Sequence, residues 1–160
     1  MNYLKIFYND VVNGKGIRVS LFVAGCSHGC GGCFSKDYWD YRSGEPFTQE
    51  TKESLLQACT SPFIDGLSLL GGDPLMPKNF DTVLDLCKAF KSKFPTKTIW
   101  LWSGYTLSEI ENNHASQILD YVDVLIDGKF IQEKYKKMPL KGSTNQKIYH
   151  KIDFRFIETN

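Results

Sequence analysis

The chain has 160 residues, the size of one ordinary domain and long enough to bury a core without disulfide staples. Hydrophobic residues make up 42% and charged residues 23%, which excludes wholesale disorder. Nineteen basic against eighteen acidic residues leave +1, so the charge balance favours neither nucleic acid nor a membrane surface as partner.

Tyr3 to Tyr8 reads as a short edge strand, with Asn13-Gly14 turning the chain after it. Residues 17–24 (IRVSLFVA) form the first long strand. Thr48 can cap a helix running to about Cys59, with Glu50 in its first turn. A strand at 66–70 (GLSLL) follows. Asn79 can then cap a helix whose Phe80, Val83, Leu84, Cys87 and Phe90 make an apolar stripe before Pro95. After a strand at 98–102 (TIWLW), Thr106-Leu-Ser-Glu109 is a capping box opening a third helix. Strands at 121–126 (YVDVLI) and, alternating better, 148–157 (KIYHKIDFRF) complete the chain.

The strands at 66–70, 98–102 and 121–126 carry apolar residues on both faces, as parallel strands covered by helices do. Their alternation with helices predicts βαβ units and an α/β fold: an open partial (β/α) barrel of about five or six mostly parallel strands, in one domain spanning 1–160. Chemistry in such folds sits at the C-terminal strand ends. No apolar run approaches the ~18–20 residues of a membrane helix, and MNYLKIFYND lacks the apolar core of a signal peptide. A cytoplasmic protein is expected, with no membrane and no nucleic acid among its partners.

Five cysteines without an export signal argue against a disulfide framework and for metal or redox chemistry. Cys59 and Cys87 fall on the apolar stripes of helices and read as small core residues. Cys26, Cys30 and Cys33 crowd into a glycine-rich loop directly after the first long strand. Three thiolates aimed at one centre select zinc or an iron–sulfur cluster. A cubane on three cysteines keeps one iron open for chemistry; a zinc site would have to add His28, awkwardly placed between its would-be partners. Gly71-Gly72-Asp73-Pro74 ends the second buried strand at the same end of the sheet. Its glycines expose backbone polar groups to a ligand, and Asp73 adds a negative charge in a partly solvated cleft, a combination suited to an ammonium group.

These motifs carry a resemblance. CSHGCGGC at 26–33 resembles the CxxxCxxC loop of radical S-adenosylmethionine enzymes, and GGDP at 71–74 their Gly-Gly-Glu turn. DVVNGKGIRVSLFVAGC at 10–26, GLSLLGGDPL at 66–75, VDVLIDGKF at 122–130 and KGSTNQKI at 141–148 narrow it to the activating proteins of anaerobic ribonucleoside-triphosphate reductases. Asp73 departs from the usual Glu, and Gly32 stands where many members have an aromatic, with Phe34 after the last cysteine instead.

The resemblance implies a [4Fe-4S] cluster held by Cys26, Cys30 and Cys33, with the open iron chelated by S-adenosylmethionine. One electron from the cluster cleaves that cofactor to methionine and a 5′-deoxyadenosyl radical. It further implies that Gly71, Gly72 and Asp73 hold the methionine ammonium, and that backbone at Gly32, Cys33 and Phe34 meets the adenine. Ser103, before Gly104-Tyr105, and Asp127 end the third and fourth strands, placed to reach ribose or substrate; a loop cap and an Asp-Gly turn with Gly128 explain them equally. The implied substrate is a glycine on the large subunit of anaerobic ribonucleotide reductase, with an electron donor such as a flavodoxin. An incomplete barrel would admit that peptide loop, and GSTNQK at 142–147 would line the opening. The alternatives are a radical enzyme acting on a small molecule, an activase of another glycyl-radical enzyme, and a zinc-stabilised module without catalysis. Activases of other glycyl-radical enzymes often carry cysteine-rich inserts, which this chain lacks.

Overall fold

A computed structural model describes residues 1–159. Among these, eight strands form one sheet: β1 (Asn2–Asp10), β2 (Arg18–Val23), β3 (Glu45–Pro46), β4 (Gly66–Gly71), β5 (Thr98–Trp102), β6 (Val124–Asp127), β7 (Lys147–Ile152) and β8 (Arg155–Thr159). Their order is β3-β1-β2-β4-β5-β6-β7-β8. Three α-helices connect them: α1 (Gln49–Ala58), α2 (Pro77–Lys93) and α3 (Leu107–Glu111).

This corrects the expected architecture. The fold is a mixed eight-stranded sheet, not a partial barrel of five or six mostly parallel strands. Four of its seven pairings are antiparallel (β3–β1, β1–β2, β6–β7, β7–β8), and only β2–β4, β4–β5 and β5–β6 are parallel. The reason lies in the connections. Residues 11–17 are too few for a crossover, since parallel neighbours need a dozen or so residues between them. β1 therefore folds straight back on β2, and lies between β2 and β3 rather than at an edge. The expected strand at 148–157 is a hairpin: Asp153 and Phe154 take positive φ (47° and 65°) and reverse the chain between β7 and β8.

The helical expectations hold closely. Thr48 caps α1, accepting from the Thr51 N–H, and Thr106 and Glu109 form the reciprocal capping box of α3. Helix α2 begins earlier than expected, with Met76 at its N-cap and Pro77 in the first turn, which frees Asn79 for another task.

Period-two alternation gives the sheet two unlike faces. Val19, Leu67 and Ile99 are in register across β2, β4 and β5, as are Leu101 and Leu125 across β5 and β6. All are buried in one core with Leu55, Val83, Cys87, Phe90 and Ile110 of the helices. The opposite face carries Ser20, Phe22, Ser68, Leu70, Trp100 and Trp102, with a small cluster of Trp100, Val124, Ile126 and Ile148. At the N-terminal strand ends this face is plugged by Arg18, which is fully buried. Its guanidinium donates to Ser68 Oγ (2.6 Å), Thr98 Oγ1 (3.1 Å) and the carbonyls of Leu67, Thr98 and Lys15, and lies 5.4 Å from the Trp100 ring. At the C-terminal ends the same face opens into a cavity.

Two predictions follow from this packing. Arg18→Ala should cost about 3–5 kcal/mol in urea unfolding, because it removes all five hydrogen bonds of the guanidinium, two of them fully buried, and leaves a void behind. Lys52→Ala, which removes a pair whose Asp85 partner is largely exposed, should cost under about 1 kcal/mol. Second, burial keeps Cys59 and Cys87 protonated in the fold, pushing the Cys59 thiol up to about 12, while thiols of the unfolded chain ionise near 9.0. The unfolded state then holds fewer protons, so stability should fall as pH rises above 9. A Cys59→Ala/Cys87→Ala variant should start less stable but lose less over that range; parallel losses would show that these thiols do not set the alkaline limit.

Candidate functional site

The cysteine loop leaves β2 at Val23 and is held at its root by two backbone bonds, from Gly25 to the Tyr38 carbonyl (2.7 Å) and from Cys26 to that of Trp39 (3.1 Å). Cys26, Cys30 and Cys33 are all partly buried, and all line the cavity at the C-terminal strand ends. Gly71, Gly72 and Asp73 after β4, Ser103 and Gly104 after β5, and Gly128 after β6 line the same cavity. Phe22, Leu70 and Trp102 supply its apolar floor, with Phe34, Phe130, Gly142 and Gln146 around it. Residues from one end of four parallel neighbours thus meet in one place.

Asp73 is 1% exposed, so the partly solvated cleft expected for it is not its environment. Its carboxylate accepts from the Leu75 N–H (2.8 Å), the Gly104 N–H (2.8 Å) and Ser103 Oγ (2.9 Å to Oδ2), and pairs with His28 Nε2 (2.7 Å). A buried carboxylate is tolerable only with such a donor set. The acid is therefore turned into the protein, joining the cysteine loop to the end of β5.

The glycines beside it answer to backbone crowding. The Gly72 N–H donates to the Val23 carbonyl (2.8 Å) and the Asp73 N–H to that of Gly25 (2.9 Å). A Cβ on Gly72 would lie 2.5 Å from the Gly25 carbonyl oxygen, and Gly71 has φ +114°. The turn thus sits directly against the root of the cysteine loop. Asn79 locks this contact: buried in the first turns of α2, its Nδ2 donates to the carbonyls of Ala24 (2.9 Å) and Asp73 (3.0 Å).

The remaining candidates fall into different places. Ser103 is buried, donates to Asp73 and accepts from the Tyr105 N–H (3.1 Å), while still lining the cavity. Asp127 is buried beside the cavity without lining it. Its oxygens accept from the N–H groups of Leu107 (2.6 Å), at the start of α3, and Lys147 (3.3 Å), and burial raises its pKa. Gly32, at φ +69°, backs onto the side chain of Gln132 rather than the cavity. Phe34 is 73% exposed and its ring meets those of Phe130 (5.1 Å, tilted) and Tyr135 (5.6 Å, edge-on) at the rim. In the 142–147 loop, Gln146 accepts from the Gly142 and Ser143 N–H groups and donates to the Gly128 carbonyl, which fixes this stretch of the cavity wall. Sequence reasoning overlooked Trp102, read Gln146 only as part of the 142–147 loop and Asn79 only as a helix cap, and weighed His28 only as a zinc ligand. Period two places Trp102 on the face of Leu70; nothing local marks Asn79 or Gln146.

The donor set suits a cubane better than a single ion. Among the described residues, no three His, Cys, Asp or Glu side chains converge on one metal-ion position. A cluster asks less convergence, since each thiolate binds a different iron. His28 cannot complete a zinc shell through Nε2, because that nitrogen is spent on Asp73. Burial pushes the Cys26 thiol up to about 11 and raises that of Cys30, so both are protonated at neutral pH until a metal displaces the proton.

Comparison with known proteins points to a cluster as well. Residues 12–149 match the family model described as a 4Fe-4S single cluster domain. The chain is 44% identical over 153 residues to the anaerobic ribonucleoside-triphosphate reductase-activating protein of Pasteurella multocida (strain Pm70), covering 93% of this chain and 97% of that one. It is 42% identical to the protein of the same name from Enterobacteria phage T4, covering 96% of each. With that of Escherichia coli (strain K12) identity is 41%, over 94% of this chain and 99% of the relative. With full-length similarity at this level, and three thiols gathered where a cluster would sit, the chain belongs to the family of anaerobic ribonucleoside-triphosphate reductase-activating proteins.

Proposed function

We propose that the chain, as one activase domain over 1–160, is a radical S-adenosylmethionine enzyme that generates a glycyl radical on the large subunit of anaerobic ribonucleotide reductase. The observation that carries this reading is the single cavity shared by Cys26, Cys30, Cys33 and the Gly71–Asp73 turn. A [4Fe-4S] cluster bound there with S-adenosylmethionine would supply one-electron cleavage of the sulfonium, and with it a carbon radical able to take a hydrogen atom from a glycine Cα.

The chain's own residues do the positioning. The three cysteines supply thiolates and no fourth protein ligand, leaving a coordination position for the cofactor's amino and carboxylate groups. Gly71 and Gly72 present backbone to the ammonium at short range, with the Asp73 charge behind them. Leu70, Trp102 and Phe34 offer apolar and aromatic surface to the adenosyl part, and Ser103 a hydroxyl. Among the described residues no α-helix packs over this end of the sheet face that carries the cavity, and Phe34 and Tyr135 stand exposed beside it. That leaves an approach for a peptide loop. A one-electron donor of the flavodoxin kind and a cytoplasmic setting, where thiols stay reduced, complete the reading. No helix among the described residues is long and apolar enough to cross a membrane.

Replacing any one of Cys26, Cys30 or Cys33 by Ala should abolish both the intact cluster and S-adenosylmethionine cleavage, scored as iron, sulfide and 5′-deoxyadenosine after anaerobic reconstitution and reduction. Full cleavage in any single variant would sink the assignment. Since iron must displace protons from Cys26 and Cys30, apparent iron affinity should rise with pH between 7 and 9, by up to about tenfold per unit for each proton released. With reductant and cofactor present, adding the reductase should yield a carbon-centred radical on that partner by electron paramagnetic resonance. Its main splitting should come from one glycine α-hydrogen and collapse on deuteration of that glycine. A diamagnetic partner, with a small metabolite consumed instead, would replace this reading with the small-molecule one.

A further inference from the structure

His28 stands between Cys26 and Cys30, yet its side chain is turned inward and only 7% exposed. Two segments grip the imidazole. Asp73 meets Nε2 at 2.7 Å, and Tyr105 meets the ring edge-on at 4.7 Å between centroids. Gly104 forms the floor, since any Cβ there would collide with the ring. On either side of Cys30 the loop is open, since a Cβ on Gly29 or Gly31 would touch nothing within 4 Å, and only at Gly32 does it pack again, on Gln132. Ser27 adds only hydroxyl contacts at 3.2 Å to Tyr41 and Met76. The imidazole is thus the loop's buried anchor, and it lands on the carboxylate that organises the turn after β4.

We infer that His28 is a positioning residue, clamped by Asp73 so that Cys26 and Cys30 are held at a fixed offset from the Gly71–Asp73 turn. The inference rests on the cluster-binding function above and deepens it. If the cysteines hold the cluster and the turn holds the cofactor's amino-acid end, the His28–Asp73 pair fixes the distance between them. The carboxylate then acts on the site through His28 rather than by taking a ligand's ammonium, because its lone pairs already serve Leu75, Ser103, Gly104 and His28. Outer partners that orient metal ligands in this way are typically worth about 10–100-fold in metal affinity.

The test compares His28→Ala, His28→Gln and Asp73→Asn with the wild-type chain. Glutamine can still donate one N–H to Asp73; asparagine at 73 would turn donors toward His28 or Gly104. In the reduced, metal-free protein, alkylation of Cys26 and Cys30, read residue by residue by mass spectrometry, should quicken about tenfold or more in His28→Ala and Asp73→Asn, because losing the buried charge-assisted bond frees the loop to open. It should return toward the wild-type rate in His28→Gln, with Cys87 inert throughout and circular dichroism unchanged. In the reconstituted protein, iron release to a chelator should follow the same order, and the reduced cluster's paramagnetic signal should broaden in His28→Ala. Wild-type alkylation rates in a folded His28→Ala, or a His28→Gln no better than Ala, would overturn the inference. A wild-type chain that takes up no iron and sulfide would instead overturn the functional reading, while the alkylation rates would still decide for or against the anchor.

Discussion

The buried carboxylate of Asp73 is the constraint around which the cavity is built. A charge 99% removed from solvent must be met by donors, and here they come from three strand ends: His28 after β2, Leu75 after β4, Ser103 and Gly104 after β5. Meeting that demand draws the ends of three parallel strands together. The glycines follow from it, because the Gly25 backbone leaves no room for a Cβ at Gly72 and the His28 ring leaves none at Gly104. Asn79 completes the lock by bonding the carbonyls of Ala24 and Asp73 from the side of α2. The cysteines ride on a loop whose root and middle are both fixed by this arrangement.

The two ends of the sheet face opposite the helical core are built differently. At the N-terminal ends Arg18 fills the space completely, its guanidinium shared among hydroxyls, carbonyls and the Trp100 ring. At the C-terminal ends the polar groups are satisfied at the back and the front is left open between Cys26, Trp102 and Gln146. Helices α1 and α2 cover the other face with a continuous apolar core. The cavity can therefore stay open without exposing that core.

Much of the local structure was legible along the chain. The capping box at Thr106, the Thr48 cap and the apolar stripe of α2 are short-range patterns, and they appear as read. Cys59 and Cys87 are buried where the stripe places them. The pairing directions were not legible in the same way. Alternation in KIYHKIDFRF marks faces but does not reveal that Asp153 and Phe154 turn with positive φ, nor that β1 inserts between β2 and β3. The length of 11–17 did carry the antiparallel pairing of β1 and β2. The tendency of strand–helix alternation to imply an all-parallel sheet outweighed it.

Local sequence marks the segments that line the cavity. Three cysteines at fixed spacing after a strand, and a Gly-Gly-Asp turn after the next, point to a cluster and a ligand, because ligand number and backbone access are properties of a few adjacent residues. Only the tertiary structure decided what each of them faces. Asp73 and Asp127 look alike in the chain as acids at strand ends, yet one is tied to the cysteine loop and the other caps α3 and the start of β7. His28, Ser103 and Gly104 find Asp73 from 30 to 45 residues away. Solvation is the physical reason: whether a carboxylate meets water, a ligand or its own backbone depends on which strand ends are neighbours, and local sequence does not encode that.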